Sequence, residues 1–235
     1  MASFKLHTTP LSFNSLRPEL VLAEKGITDY EVVAADLATG SHKTPEFMQK
    51  SPFGQVPLLE LDDTPLIESR AIARVLATKY SDVQPSLIPD YASDPKAFAL
   101  FEQALSVETM KVDPYAGPLI YHKLIAPATG NTPDEVVIAR CLAKLNAHLN
   151  IIDGILAKHK FMAGDVYTLA DINFMPTMHV LFPIGEGEMI TSRPNLARWW
   201  AEVSGREAWK KTVAPMDQMY AQIQAQMSQN GGTMN

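Results

Sequence analysis

"FGQVPLLELDDTPLIES", residues 53–69, reads as two short strands that turn at Asp62-Asp63, with a helix start behind them. One residue in it is out of place. Pro57 sits at the mouth of the apolar run Leu58-Leu59, where a strand should donate backbone hydrogen bonds. Proline has no N–H, and within sheets it is confined to edges, strand starts and bulges. What this proline builds decides how the rest of the chain is read.

Outward from that hairpin, the first eighty residues alternate strand and helix signals. "SFKLHTT" (3–9) is a short strand, and "SLRPELVLAEKGI" (15–27) is helical, with apolar Leu16, Leu20, Val21 and Ala23. That helix stops at Gly26, and Pro18 is tolerated in its first turn, where N–H groups have no intrahelical partner. "YEVVAADL" (30–37) is a second strand, "TPEFMQKS" (44–51) a short helix, and "SRAIARVLATKY" (69–80) closes the unit behind the hairpin. The order β-α-β-α-β-β-α predicts a thioredoxin-like α/β domain over residues 1–81.

Residues 82–91 form a proline-punctuated linker, and the rhythm of 92–226 is purely helical. Asp94-Pro95 is an N-cap followed by proline at the first helical position. "TPDE" (132–135) reads as a capping box, Thr132 at the N-cap and Glu135 at N3, opening a long helix to about residue 158. "YTLADI" (167–172) repeats the device with Thr168 and Asp171, so Asp171 reads as a structural cap and not a catalytic acid. "YHKLIAPATGN" (121–131) reads as a long interhelical connection, "PNLARWWAEVSG" and "REAWKKTV" as two short helices, and 227–235 as a disordered tail.

Composition narrows the classes. The chain has 235 residues, 46% of them hydrophobic, and a formal net charge of −6, which argues against non-specific nucleic-acid or anionic-membrane binding. No apolar run approaches the roughly 20 residues that span a bilayer, and the start, "MASFKLHTTPLSF", has no signal-peptide core. A single cysteine, Cys141, excludes an internal disulfide framework and suits a reducing compartment, so the expected location is cytoplasmic. His148 and His159 lack the four-residue spacing of a metal pair, and no metal is expected.

A thioredoxin-like half followed by an all-α half resembles the soluble glutathione S-transferases, and the phi class most closely. The resemblance rests on "HKTPEFMQKSPFGQVPLLE", "LIESRAIARVLATKY", "YTLADI" and "RPNLARWWAEVSGREAWKKT", which fall in order along nearly the whole chain. It implies that Val56-Pro57 is cis, turning the Val56 N–H and C=O out of the sheet to pair with the cysteinyl backbone of glutathione. Glu68-Ser69, at a helix start, would meet the γ-glutamyl end: helix N–H groups and the Ser69 hydroxyl for its carboxylate, Glu68 for its ammonium. Arg70 completes that corner by orienting acidic neighbours. His42 and Lys43 would take the glycyl carboxylate, and Gln55 would bond the ligand backbone or a carboxylate.

The thiol is the chemical problem. An ordinary thiol has a pKa of about 8.5 and is only a few per cent ionised at pH 7. Lowering it by about two units takes about 2.7 kcal/mol. A hydrogen bond to a charged group supplies roughly 1.5–3 kcal/mol, and a helix N-terminus roughly 0.3–1 kcal/mol more. Ser12, five residues before Arg17 as the phi-class serine is, would donate its hydroxyl to the thiolate; Asn14 close by is the alternative thiol contact. Leu11, Phe13 and Leu37, with Met110 and Tyr115 of the helical half, would wall a cleft for an apolar electrophile. Phe53 either enters a partner subunit of a homodimer or packs under its own loop. The resemblance thus implies a glutathione transferase acting on hydrophobic electrophiles, with glutathione peroxidase activity as a further possibility. The competing reading is a non-catalytic glutathione or hydrophobic-ligand binder of the same family.

Overall fold

In the computed structural model, which describes residues 4–37 and 39–229, the chain divides into two compact units. One comprises Met1–Pro85 together with Glu207–Asn235, the other Ser86–Arg206.

The first unit holds β1 (Lys5–Thr8), α1 (Leu16–Glu24), β2 (Glu31–Ala34), α2 (Pro45–Lys50), β3 (Leu58–Leu61), β4 (Thr64–Leu66) and α3 (Ser69–Lys79). Their order is the one the sequence predicts. The four strands form one sheet in the order β2-β1-β3-β4. β1 runs parallel to β2, with Leu6 beside Val32, and antiparallel to β3, with Leu6 beside Leu59. The β3–β4 hairpin turns at Asp62 and Asp63, at φ 48° and 60°. Two consecutive left-handed residues are what a two-residue hairpin turn needs, and aspartate tolerates that region. Pro65 is accommodated because β4 is an edge strand.

The end of the chain departs from expectation. "REAWKKTV" is not a short helix but the start of α11 (Glu207–Gln229), which continues through Pro215 and packs on α1 in the first unit. Its buried stripe, Trp209, Val213, Met216 and Tyr220, follows the helical spacing of a core-facing side. This last helix groups with the first unit, and the segment expected as a tail is helical as far as Gln229. The remaining residues of that tail, 230–235, lie outside the described ones.

The second unit contains α4 (Pro95–Val107), α5 (Asp113–Ile120), α6 (Ala126–Ala128), α7 (Glu135–Leu156), α8 (Leu169–Leu181), α9 (Glu188–Thr191) and α10 (Pro194–Ser204). Asp94 caps α4, its carboxylate accepting from Ala97 N–H at 2.9 Å. Two π-helical turns, Glu108–Val112 and Tyr121–Ile125, flank α5, so the "connection" at 121–131 is helical as far as Ala128. Pro114 and Pro118 each lack an N–H, and a change of hydrogen-bond period is one way a helix absorbs that loss. The cap of α7 is Asp134 and not Thr132: its Oδ1 accepts from Val136 and Val137 N–H at 2.9 and 3.1 Å. A carboxylate directly before the helix satisfies two free donors from one atom, which the Thr132 register cannot do. α7 ends at Leu156, so His159 lies beyond it. α8 is buried along nearly its whole length and forms the centre of this unit. Its capping box, Thr168 with Asp171, is present as the sequence predicts.

Candidate active site

Three segments of the first unit meet around the loop between β1 and α1. That loop, 9–15, is held by its own backbone: Ser12 N–H donates to Thr9 C=O at 3.1 Å, and Ser15 N–H to Ser12 C=O at 2.9 Å. Ser12 is half-buried, and its hydroxyl donates to Val56 C=O at 3.5 Å. A hydrogen bond at that length is weak, so the hydroxyl is readily turned to a stronger acceptor such as a thiolate.

Val56-Pro57 is cis, and β3 begins at the next residue. Among the described residues the Val56 N–H has no backbone partner. Gln55 is exposed, with its backbone pinned by Ser51, whose hydroxyl bonds both Gln55 C=O at 3.0 Å and Gln55 N–H at 3.3 Å. The edge at 55–56 is thus fixed in place.

Gly54 explains how His42 and Lys43 come beside this edge. It has φ +57°, and a Cβ there would lie 2.8 Å from Lys43 Cδ and 2.9 Å from the His42 carbonyl oxygen. Only glycine permits that approach. Lys43 Nζ donates to Phe53 C=O at 3.1 Å, which leaves two of its three donors for a ligand. The His42 Nδ1 is buried with no partner among the described residues. Burial, and then the charge of Lys43, hold the His42 imidazole below its ordinary pKa. At neutral pH it is therefore an uncharged donor, and Lys43 supplies the charge. Phe53 itself is 66% exposed and does not pack under its loop.

Glu68 and Ser69 stand where β4 gives way to α3. Glu68 has φ 69°, an uncommon conformation for a residue with a side chain. It occupies the N-cap position yet makes no capping bond, so its exposed carboxylate is not consumed by the helix. Ser69 is buried, and its Oγ accepts from Arg17 Nη1 at 3.3 Å. Arg70 is half-buried beside them.

Arg17 entered the sequence reading only as a spacing landmark; the structure makes it a hub. It is fully buried, and the same Nη1 that reaches Ser69 donates to Asn14 Oδ1 at 2.5 Å. Asn14 is therefore engaged by Arg17, while the Ser12 hydroxyl stands at the cis-proline edge. No short-range signal marks an arginine in a first helical turn as buried.

Leu11, Phe13 and Leu37 are half-buried in the first unit. Met110 and Tyr115 belong to the second: Met110 is 64% exposed on a π-helical turn, and Tyr115 lies edge-on to His148 at 5.3 Å. Asp171 is also in the second unit, fully buried and taken up by structural bonds. Among the described residues, no group of three or more His, Cys, Asp or Glu could hold a metal, and no helix is long and apolar enough to cross a membrane.

A cis-proline edge, a helix start offering a serine, and a hydroxyl-bearing loop stand together on one thioredoxin-like sheet, the class of fold that the first unit defines. Comparisons narrow it. Residues 2–78 match the family model of the glutathione S-transferase N-terminal domain, and residues 113–207 that of the C-terminal domain. Glutathione S-transferase 3 of Zea mays is 40% identical over 216 residues, 91% of this chain and 95% of that one. Glutathione S-transferase F12 of Arabidopsis thaliana is 38% identical over 195 residues, 83% of this chain and 89% of that one. The crystal structure of glutathione transferase F7 from Populus trichocarpa superposes with a TM-score of 0.85 at 36% identity, covering 91% of this chain and 99% of that one. A maize glutathione S-transferase I solved with an atrazine glutathione conjugate gives 0.82 at 33% identity, covering 92% and 99%. The chain belongs to the soluble glutathione S-transferase family, and it is phi-like within it. The relatives are named as transferases, which favours the enzyme over the non-catalytic binder.

Proposed function

We infer that this chain is a glutathione S-transferase in which Ser12 stabilises the glutathione thiolate for attack on a hydrophobic electrophile. The observation that carries the assignment of Ser12 is its hydroxyl, 3.5 Å from the carbonyl of the residue before the cis proline, where a bound cysteinyl group would pair. In this reading Val56 bonds the cysteinyl backbone, with Gln55 beside it. Ser69 and the α3 N-terminus take the γ-glutamyl carboxylate, and Glu68 takes the ammonium. His42 and Lys43 take the glycyl carboxylate; Arg70 orients its acidic neighbours. Leu11, Phe13 and Leu37 are the first unit's apolar contribution to the electrophile site. The ligand is a co-substrate, and the chemistry asks for no metal. We assign the enzyme to the cytoplasm.

The electrophile loses a leaving group or accepts addition as the sulfur–carbon bond forms. The serine keeps its proton throughout; it donates a hydrogen bond that strengthens as charge gathers on sulfur before attack. Ultraviolet titration of bound glutathione tests this. The thiolate band should rise well below the pH at which free glutathione ionises, and Ser12→Ala should abolish that shift. Turnover should fall about tenfold to a hundredfold, in line with the loss of one charged hydrogen bond, while glutathione affinity is largely kept. Tight binding without an acid-shifted thiolate in either protein sinks the assignment.

We further propose that the enzyme is a homodimer. Phe53 stands 66% exposed, and the second unit carries a cavity of about 550 Å³ between α4 and α7, walled by Leu100, Ile151, Ile155 and Met162. A phenyl ring of one copy entering this cavity of the other, with the reverse contact made by symmetry, would bury both. Burying one Phe is worth about 1.5–3 kcal/mol, and two such contacts are made. Phe53→Ser should therefore weaken self-association at least a hundredfold by analytical ultracentrifugation; an unchanged dimer would rule out this contact.

A further inference from the structure

The fully buried Arg17 joins parts of the site that sequence separates. Its Nη1 reaches Asn14 Oδ1 in the loop that carries Ser12, at 2.5 Å, and Ser69 Oγ at the start of α3, at 3.3 Å. We propose that Arg17 is a positioning residue that couples the two reactive ends of the glutathione site, so that docking of the carboxylate at Ser69 helps set the thiolate at Ser12. This rests on the site assignments made above.

The chemistry of the three side chains supports the coupling. A hydroxyl has one donor and two acceptor lone pairs. With Arg17 donating to its oxygen, the Ser69 O–H is left to point at a ligand carboxylate. Hydrogen bonds in series strengthen one another, so a carboxylate that accepts from Ser69 tightens the Arg17–Ser69 contact. On the other side Asn14 is gripped twice: its side-chain oxygen accepts from Nη1, and its backbone carbonyl accepts from Arg17 N–H at 3.3 Å. Ser12 lies two residues before it in a turn closed by Ser15 N–H on Ser12 C=O at 2.9 Å. A shift of the guanidinium is thus passed to the serine loop. The cation also favours anions at both ends in a medium of low polarity. Both bonds leave one nitrogen, and lysine's ammonium, whose side chain ends one bond short of Nη1, does not reach both acceptors from the same backbone position.

The test reads the pKa of the glutathione thiol in the binary complex by ultraviolet difference titration, alongside glutathione affinity. Ser69→Ala touches no sulfur, yet it should raise the bound thiol's pKa by about 0.7 unit, a fivefold loss of thiolate preference at the lower end of ordinary coupling between sites. In an Arg17→Lys background the same substitution should weaken glutathione binding without moving the thiol. Should lysine at this buried position cost the fold, Asn14→Ala combined with Ser69→Ala carries the test instead: a non-additive effect on the thiol upholds the coupling, and an additive one overturns it. A Ser69→Ala protein that binds glutathione weakly but ionises its thiol as the wild type does would also overturn it, leaving the Ser12 mechanism intact. If the wild-type complex itself shows no acid-shifted thiolate, both readings fall together.

Discussion

Asp171→Ala should destabilise the chain by about 4 kcal/mol, lowering its thermal midpoint by roughly 8–16 °C. The carboxylate is fully buried and accepts from Met162 N–H at 2.9 Å, Thr168 N–H at 2.9 Å and Trp199 Nε1–H at 2.8 Å. Alanine leaves three buried donors without that acceptor, each costing about 1–3 kcal/mol before relaxation. It also breaks the capping box of α8, the central helix of its unit. Burial pushes the Asp171 carboxyl above its ordinary pKa, against the three donors that favour its ionised form. Its contribution is therefore made by geometry more than by charge. Asp171→Asn, which keeps one acceptor oxygen, should lose about half as much. Urea denaturation followed by circular dichroism measures both. A loss under about 1 kcal/mol for alanine would mean that the freed donors find other partners. In either case, protein that remains folded should keep an acid-shifted glutathione thiolate, because the residue belongs to the second unit and touches none of the site.

What could be read from the sequence was what has a short-range cause. Proline at the mouth of a strand, aspartates at a hairpin tip and a threonine three residues before an aspartate each constrain a few neighbouring backbone angles. The succession of strands and helices in the first unit and the Thr168–Asp171 box follow from such signals. The ligand roles proposed for Val56, Glu68 and Ser69, on those same turns, came from the family resemblance and not from such local signals. Misreadings arose where distant packing overrides local chemistry. Pro215 looks like a stop, yet α11 runs through it because the stripe from Trp209 to Tyr220 has α1 to pack against. Residues 121–131 read as a long connection, whereas a π-helical turn and α6 carry the helical path onward as far as Ala128. Thr132 and Asp134 both match a cap preference, and only the helix's actual start separates them. Arg17 and Glu19 were invisible in another way. On a short amphipathic helix both belong to the polar pattern, and nothing local says that this side is covered.

Glu19→Gln should stabilise the protein by an amount that grows as pH rises above about 4.5 and is complete above about 7. Glu19 lies on α1, where its largely buried carboxyl accepts a hydrogen bond from the Thr8 hydroxyl of β1. Burial raises its pKa from the ordinary 4.5 to about 7, with the Thr8 bond opposing the shift. The folded state therefore holds this proton more tightly than the unfolded chain does. Below about pH 4.5 both states are protonated and the residue contributes no pH dependence. Between 4.5 and about 7 the unfolded chain ionises first, so stability falls as pH rises; above that range the loss is complete. At about 1.36 kcal/mol per pKa unit the full penalty would be about 3 kcal/mol. The side chain keeps some contact with solvent, which brings the expectation to about 2 kcal/mol. Glutamine keeps an acceptor for Thr8 and never ionises. Its stability in urea at pH 5 should lie close to wild type, and at pH 8 it should exceed wild type by about 2 kcal/mol. The Tyr30 phenol supplies an independent readout: burial raises its pKa first, and the Glu19 charge raises it further. Removing that charge should let Tyr30 ionise at lower pH in an alkaline spectroscopic titration. Equal stability of the two proteins at both pH values, with Tyr30 unmoved, would mean that Glu19 reaches water and titrates as an ordinary surface acid.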